Sequence, residues 1–303
     1  MTSYRIVVTG SSGFLGRRLC PLLAARGHSV VGLDLQSPST TNDGFEHRDW
    51  NALDPPPDDL GQIDAVFMLA QSPHYRNFPR AASDLWGVNV TGTARILEAF
   101  HADRPWMFHA STGSVYQPSL EPIPEDAPLR RDDAYAASKL AAEDLIRLHD
   151  GSWTIGRFFT IYGPGQRGRM VPAIIDRVRS GRAVSLAATA DENSGETSGL
   201  KISMALVDDV AELLSRLLEI TLDGSQTRET LNLGPPTPAS IRDIAEAAGK
   251  VLGREPILEP AKDHRTGDLI ADTSRLESRL PMPWKSVEDG ILRTIEEDRG
   301  SAG

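Results

Sequence analysis

Cysteine is almost absent from this sequence of 303 residues, which contains only Cys20. A single cysteine cannot form a disulfide within the chain, so the disulfide frameworks of small secreted proteins are excluded. Cys20 lies in an apolar helical pattern, and we expect it to be a small buried residue. This use of cysteine favours a reducing compartment, and we predict a cytoplasmic protein.

Long apolar runs and an excess of positive charge are also missing. No window approaches the run of about 18 apolar residues that a membrane-spanning helix requires, and the first residues lead directly into a predicted strand rather than through a signal-peptide pattern. The 32 Lys and Arg are outnumbered by 42 Asp and Glu. Such a surface repels phosphates, so we expect no nucleic acid and no membrane as partner. The histidines show no paired ligand spacing, and we assign no metal.

Short apolar runs alternate with longer helical patterns up to about residue 160. This alternation predicts an α/β fold, a doubly wound parallel (Rossmann) sheet with a smaller interleaved C-terminal substrate lobe. The predicted strands are 5–9, 29–34, 65–70, 106–111 and 154–159, and the predicted helices are 14–26, 81–101 and 134–149. In such a sheet, ligands bind at the carboxyl ends of the strands.

The alternation loosens after Tyr162. The polar stretch 187–200 has no period and predicts an exposed loop. Two later segments, 204–207 and 230–233, each precede a predicted helix and are expected to return to the edges of the sheet. We therefore predict two parts. Residues 1–165 form a nucleotide-binding Rossmann domain, to which the chain returns near 204–218 and 230–234. Residues 166–303 form a substrate-binding lobe.

Three glycines lie between the first strand and the first helix, in IVVTGSSGFLG. Gly10 can form a tight turn, Gly13 lets the backbone approach a pyrophosphate, and Gly16 permits close helix packing. The start of the helix offers N–H donors to an anion. Asp34 ends the second strand, where its carboxylate can bind both hydroxyls of a ribose and repels a 2′-phosphate. This combination predicts NAD rather than NADP.

Tyr135 and Lys139, in YAASK, are four residues apart on a predicted helix and therefore share one face. An ammonium near a phenol favours the phenolate, which can exchange a proton with a carbinol oxygen while hydride passes to nicotinamide. Thr112, at a strand end in HASTGSVY, can hydrogen-bond the same oxygen. Tyr–Lys pairs are common on helix faces. This pair indicates a catalytic site because it follows the dinucleotide loop and a Ser/Thr-rich strand end in this order.

In this order the segments resemble the extended short-chain dehydrogenase/reductases, the NAD-dependent epimerase/dehydratase family, over nearly the whole chain. The matching segments are TGSSGFLG, Asp34, RDW at 48–50, VFMLA at 66–70, NVTGT at 89–93, STGSVY, YAASK, GRFFTIYGPGQR at 156–167 and LVDDVA at 206–211. The resemblance implies a catalytic set of Thr112, Tyr135 and Lys139. It implies cofactor-binding residues at Gly10, Gly13, Phe14, Leu15, Asp34, Asp49, Trp50, Leu69, Ala70, Asn89, Tyr135, Lys139 and Phe159.

Within that set, the resemblance implies that Asp49 and Trp50 flank the adenine, that Asn89 supports the site and that Phe159 packs near the nicotinamide. It also implies a homodimer formed by the helices at about 81–101 and 134–149. The implied substrate is a nucleotide sugar, with contacts from Thr112, Ser114, Thr160, Arg167, Arg169 and Arg265.

Arginine suits this substrate because its paired N–H donors grip phosphate or carboxylate. A solvated loop accounts equally well for Arg167 and Arg169, and a structural ion pair for Arg157. The Arg-Asp-Phe triplet that many members carry before VDD is missing. Lys201 stands nearby but out of step by one residue.

Gly113 and Ser114 occupy the positions where the family's dehydratases carry Asp and Glu. Without these carboxylates an elimination has no proton donor and acceptor, and a glutamate of the family's decarboxylases is missing too. The predicted activity is epimerisation of a sugar nucleotide, at C4 through a transient 4-keto intermediate, with NAD regenerated in each cycle. The alternatives are an NAD(P)-dependent ketosugar reductase or dehydrogenase and a non-catalytic NAD-sensing or scaffold protein.

Overall fold

The computed structural model describes residues 2–36, 44–193, 195, 197–224 and 227–300. Its strands are β1 (Arg5–Thr9), β2 (Ser29–Asp34), β3 (Glu46–Asp49), β4 (Ala65–Met68), β5 (Trp106–Thr112), β6 (Trp153–Phe158), β7 (Thr160–Tyr162), β8 (Val184–Leu186), β9 (Lys201–Ile202), β10 (Met204–Leu206), β11 (Arg228–Leu233), β12 (Ala239–Ser240) and β13 (Leu258–Pro260). Its α-helices are α1 (Gly16–Ala25), α2 (Ala82–Trp86), α3 (Gly92–Ala99), α4 (Ala134–Arg147), α5 (Met170–Arg179), α6 (Val207–Leu222), α7 (Ile241–Leu252), α8 (Ser274–Arg279) and α9 (Val287–Gly300). Among the described residues, no helix is long and apolar enough to cross a membrane.

The chain divides into two compact units that are interleaved along the sequence. The first unit comprises Met1–Tyr116, Pro128–Phe158 and Ala211–Leu231. The second comprises Gln117–Ala127, Phe159–Val210 and Asn232–Gly303. The segment 117–127, which the sequence predicts to lie in the first domain, belongs to the second unit. After Phe158 at the end of β6, one segment returns to the first unit, from residue 211, whereas the sequence predicts two returns after residue 165. The functional roles of the two parts stay a prediction.

The first unit is built on a seven-stranded sheet in the order β11-β6-β5-β4-β1-β2-β3. The pairings from β3 through β1 and β4 to β6 are parallel. β4 is buried throughout, as expected for a sheet covered on both faces. The strand order reverses between β1 and β4, and their carboxyl ends border the crevice where such sheets bind ligands. The predicted doubly wound α/β fold is therefore confirmed.

The sequence predicts β1 and β2 with their observed bounds. β4 ends two residues before its predicted end, because the N–H groups of Leu69 and Ala70 turn to the main chain and the side chain of Thr9. The sequence does not predict β3, since EHRD is charged and has no apolar pattern. Charged residues are typical of a strand at the edge of a sheet.

The single helix predicted over 81–101 is divided. α2 is followed by a π-helical turn over Gly87–Thr91 and then by α3. The turn carries Asn89, which is buried. Such turns interrupt the regular helical spacing and are frequent at functional sites.

In the described part of the second unit, β10 pairs with β7, β12 with β9 and β13 with β8, each in a two-stranded sheet. Its apolar core lies mainly between α5, α7 and α9. Contrary to the prediction for 204–207, β10 does not return to an edge of the seven-stranded sheet. It pairs with β7 instead, with Met204 opposite Thr160. The other predicted return, 230–233, lies in β11 at an edge of the large sheet.

The stretch 187–200 contains no helix or strand among its described residues. It is nevertheless not simply an exposed loop, because Ala188, Thr189 and Thr197 are buried. The Thr197 hydroxyl lies 3.0 Å from the Glu192 carboxylate, to which it donates. Burial of these residues and this hydrogen bond within the stretch show that it is packed.

Candidate active site

The glycine loop between β1 and α1 has a backbone that side chains would disrupt. Gly10 has φ of +72°, and a Cβ there would lie 2.8 Å from the main-chain nitrogen of Ala70. A Cβ on Gly16 would collide with the carbonyl oxygen of Gly10. The loop therefore packs tightly against the residues after β4 and against the start of α1, as a dinucleotide-binding turn requires.

Asp34 faces this loop from the end of β2. One carboxylate oxygen accepts a hydrogen bond from the N–H of Ser12 at 3.0 Å and the other from the N–H of Gln36 at 3.3 Å. Within the described residues, the first turn of α1 has neither a side-chain cap nor an acidic residue. Its N–H donors therefore suit a pyrophosphate, and Asp34 suits a ribose, so these residues fit NAD.

The residues predicted around the adenine differ in exposure. The side chain of Asp49 is 80% exposed and lies 3.3 Å from His47. The indole of Trp50 is buried in the apolar core of the first unit and donates to the carbonyl of Asp54. Because the indole is part of the core, the main chain of Trp50 is its more accessible part, and the contact of this residue with the adenine stays a prediction.

The three predicted catalytic residues all belong to the first unit. The hydroxyl of Tyr135, in the first turn of α4, donates to Oε1 of Gln71 at 3.0 Å. The buried ammonium of Lys139 donates to the carbonyl oxygen of Ala110 on β5 at 2.9 Å. Thr112 ends β5, and a hydrogen bond with its side chain lowers the pKa of Tyr135. The structure thus brings the end of β5 and the start of α4 together at one tyrosine hydroxyl.

Burial dominates the titration of the Tyr–Lys pair. It raises the pKa of Tyr135 to about 12, against the lowering effects of Thr112 and the positive charge of Arg76. Burial also lowers the pKa of Lys139 to about 8, against the opposing effect of the Glu143 carboxylate. In the chain by itself the ammonium of Lys139 is turned to Ala110, and burial outweighs the groups that lower the pKa of Tyr135. The lowering of this pKa by Lys139 stays a prediction.

Asn89 connects the elements around this pair. Its amide nitrogen donates to the hydroxyl of Ser138 at 3.0 Å, and that hydroxyl donates to the main-chain oxygen of Tyr135 at 2.8 Å. Its amide oxygen lies 3.5 Å from the N–H of Ser72. Asn89 thus holds the start of α4 in place from the π-helical turn.

Arg157 forms a structural ion pair, the alternative to a substrate contact that the sequence left open. Its guanidinium binds both carboxylate oxygens of Glu143, at 3.0 and 2.7 Å, and donates to the hydroxyl of Tyr116 at 2.6 Å. No sequence motif assigns a role to Glu143. The available signal was its spacing, since Glu143 follows Lys139 by four residues and its negative charge favours the ammonium.

The remaining predicted residues, Phe159, Thr160, Arg167, Arg169 and Arg265, belong to the second unit. Thr160 begins β7, Arg167 is exposed, and Arg169 is half-buried just before α5, where burial lowers its pKa. The guanidinium of Arg265 has several hydrogen-bond partners within the unit. It binds both carboxylate oxygens of Glu192, and its Nε donates to Asp268 at 3.0 Å. A phosphate at Arg265 would compete with the Glu192 carboxylate for the same N–H donors, and the substrate role of Arg265 stays a prediction.

Known proteins resemble this chain over nearly its full length. A probable UDP-glucuronate 4-epimerase of Rhizobium meliloti is 27% identical, with 96% of each chain covered. A UDP-glucose 4-epimerase of Mycolicibacterium smegmatis is 29% identical, with 96% of this chain and 97% of the relative covered.

Solved structures give the same result. The UDP-glucuronic acid 4-epimerase of Bacillus cereus, in complex with UDP-glucuronic acid and NAD, has a TM-score of 0.82 at 25% identity, with 98% of this chain and 99% of that chain covered. MoeE5, in complex with UDP-glucose and NAD, has a TM-score of 0.79 at 26% identity, with 99% and 100% covered. The model of the NAD-dependent epimerase/dehydratase family matches residues 6–234. The predicted family and its NAD dependence are confirmed, and the chain belongs to the NAD-dependent epimerase/dehydratase family.

Proposed function

We propose that this protein is an NAD-dependent epimerase that inverts C4 of a UDP-linked hexose or hexuronic acid through a transient 4-keto sugar. The observation that carries the proposal is the meeting of Tyr135 and Thr112, with Lys139 one turn further along α4, in the unit that contains the glycine loop. Gly113 and Ser114 supply neither of the carboxylates that an elimination needs. The resemblance to epimerases of UDP-glucose and UDP-glucuronate supports this substrate class.

In this proposal the first unit holds the cofactor. The main chain of Gly10, Gly13, Phe14 and Leu15 binds the pyrophosphate, Asp34 binds the adenosine ribose, and the main chain at Leu69 and Ala70 lines the cofactor. When bound, NAD supplies a reversible acceptor for the hydrogen at C4. A phosphate group on the ribose would be repelled by Asp34, and the two described residues that follow it, Leu35 and Gln36, carry no positive charge to offset this.

Three side chains take part in the reaction. Tyr135 takes the proton of the 4-hydroxyl during oxidation and returns it after the keto sugar has presented its other face. Thr112 hydrogen-bonds the reacting oxygen and orients it. Lys139 would hold the nicotinamide ribose, and its positive charge favours the phenolate of Tyr135.

The decisive experiment incubates the purified protein with UDP-glucose or UDP-glucuronate and without added cofactor. We expect conversion to the C4 epimer, because the reaction returns its cofactor to the oxidised state. Turnover only with stoichiometric reduced cofactor would identify a reductase instead. No turnover on any nucleotide sugar, combined with NAD binding, would favour an NAD-sensing role.

The proposal includes a cytoplasmic homodimer formed by α2, α3 and α4. Trp86 at the end of α2 is 39% exposed, and Leu148, just after α4, is 80% exposed. These two side chains offer apolar surface to a contact between two copies, which the resemblance to the family implies. Sedimentation that shows only monomer at micromolar concentration would reject the dimer, and cell fractionation tests the location.

A further inference from the structure

Gln71 follows β4 and has no role in the mechanism above. It is half-buried, and its Oε1 accepts the hydrogen bond from the hydroxyl of Tyr135 at 3.0 Å. Tyr135 is the residue that gains and loses a proton in the proposed reaction. The partner of its hydroxyl therefore has to suit both the phenol and the phenolate.

The main chain on both sides of Gln71 is fixed. Before it, the N–H of Ala70 donates to the side chain of Thr9 at 3.2 Å. After it, Ser72 is completely buried, and its hydroxyl donates to the carboxylate of Asp84. Gln71 consequently presents its amide from an anchored point rather than from a freely moving loop.

Neighbouring residues hold the ring of Tyr135 at the same place. The ring of Tyr75 lies against it, with centroids 4.7 Å apart and an angle of 50° between the planes. The guanidinium of Arg76 lies 5.3 Å from the centroid of the Tyr75 ring. The stretch 71–76 thus contributes a hydrogen bond, an aromatic contact and a positive charge at the tyrosine.

A primary amide offers an acceptor oxygen and a donor nitrogen at the same distance from the main chain. When Tyr135 is protonated, its O–H donates to the amide oxygen of Gln71. When Tyr135 is ionised, the phenolate has no proton to donate and needs a donor, which the amide nitrogen supplies after a half turn of the amide group. We propose that Gln71 is a positioning residue that turns its amide to serve both protonation states of Tyr135. This inference rests on the proposed function.

The other charged and titratable groups near the hydroxyl act in one direction each. Burial and the Asp133 carboxylate raise the pKa of Tyr135, whereas Thr112 and Arg76 lower it. Lys139 stands one turn away with its ammonium on Ala110, and Tyr75 contributes a ring contact. The amide of a glutamine can accept from the phenol and donate to the phenolate, so it favours neither protonation state of Tyr135 strongly. A glutamate of the same shape would be an anion that only accepts, and it would oppose the phenolate.

The test compares Gln71→Glu with the control Gln62→Glu, which adds the same charge at an exposed position of the same unit. Tyrosines are isotopically labelled at Cζ and titrated by NMR, and the Tyr135 signal is assigned by its loss in Tyr135→Phe. We expect Gln71→Glu to keep Tyr135 protonated to a pH at least about 1 unit higher than in the unmodified protein. The rising limb of the kcat–pH profile should move in the same direction, with KM nearly unchanged. Gln62→Glu should alter neither.

A second variant, Gln71→Met, fills similar space without any hydrogen bond. We expect Gln71→Met to lower kcat about tenfold at every pH, because the Tyr135 hydroxyl loses its hydrogen bond. The rising limb of the kcat–pH profile should not move, because the substitution adds no charge. The proposal is overturned if the Tyr135 titration of Gln71→Glu coincides with that of the unmodified protein, or if Gln71→Met keeps full kcat. Should Tyr135 titrate as expected while Tyr135→Phe stays active on nucleotide sugars, the proposed function fails and the contact of Gln71 with Tyr135 stands.

Discussion

Arg265 and Glu192 form a two-point ion pair, with Nη1 2.7 Å and Nη2 3.0 Å from the two carboxylate oxygens. The carboxylate also accepts from the N–H of Thr189 and from the hydroxyl of Thr197. Arg265 is the residue for which the sequence predicts a phosphate of the substrate. In the structure, a carboxylate of the same unit already binds the guanidinium as a phosphate would.

Replacement of Glu192 should therefore strengthen nucleotide binding. A partly exposed ion pair contributes about 1 kcal/mol, so we expect Glu192→Gln to raise the affinity for UDP about fivefold, measured by calorimetry. Arg265→Lys should lower that affinity, because an ammonium cannot bind two oxygens side by side. Unchanged UDP affinity in both variants would restrict Arg265 to a structural role.

The buried pair of Arg157 and Glu143 should matter for stability. Arg157→Met leaves Glu143 in the interior with only part of its hydrogen bonds, and we expect the free energy of unfolding to fall by about 3 kcal/mol. Urea unfolding measures this change. The control Arg179→Met removes an exposed pair with Asp176 and should change stability by about 0.5 kcal/mol or less. Equal losses in the two variants would contradict the structural importance of the buried pair.

Asp34 should select NAD over NADP. In Asp34→Ser the ribose loses a charged acceptor and the 2′-phosphate is no longer repelled, so NAD affinity should fall about tenfold while NADP affinity rises. Calorimetric titration of both cofactors decides the matter. Asp49→Ser, at a predicted adenine contact with an exposed side chain, serves as the control and should leave the preference between the cofactors unchanged. Tighter binding of NADP by the unmodified protein would reverse the assignment.

The sequence predicts local features of this fold well when their cause is local. The bounds of β1 and β2 follow from apolar runs that end at Gly10 and Asp34, and these ends carry the cofactor motif itself. The charged edge strand β3 has no such run, so it leaves no pattern in the sequence. The π-helical turn at Asn89 is equally hidden, because the residues around it keep an ordinary helical composition.

Long-range pairings limit what could be predicted of the site. Tyr135, Lys139 and Thr112 stand in recognisable motifs, whereas Gln71 lies 64 residues before its partner Tyr135 in a segment with no motif. The sequence also could not predict that the pKa of Tyr135 is raised, since this shift depends mainly on burial. Four-residue spacing places Lys139 on the correct face of α4 but does not reveal that its ammonium turns to a carbonyl.

The lowered pKa of Lys139 predicts a pH dependence of cofactor binding. With a pKa of about 8, Lys139 is charged at neutral pH and loses its proton as the pH rises through that value. If its charge helps to hold the nicotinamide ribose, NAD affinity should fall about threefold to tenfold between roughly pH 7 and pH 9. Lys139→Met should bind NAD more weakly at both pH values and without this step. Equal affinity of the unmodified protein at the two pH values would argue against a contact of Lys139 with the cofactor.

Tyr135→Phe tests the chemistry most directly. The variant keeps the ring that packs against Tyr75 and loses only the hydroxyl that exchanges the proton. We expect kcat on the C4 epimerisation of a UDP-sugar to fall by a factor of about 100 to 10,000, because general acid–base catalysis contributes that much. NAD affinity should stay within about twofold, and stability should fall by about 1 kcal/mol, since one hydrogen bond to Gln71 is lost.

A matched control for this variant is Tyr4→Phe, which removes the hydroxyl that donates to Asp223 in the same unit. It should retain normal kcat, so that a loss in Tyr135→Phe alone identifies the proton acceptor. Near-normal turnover by Tyr135→Phe would require another base. Because Lys139 has a pKa of about 8 and lies one helical turn away, its neutral amine would then be the first residue to examine, by the same kcat–pH profile in Lys139→Met.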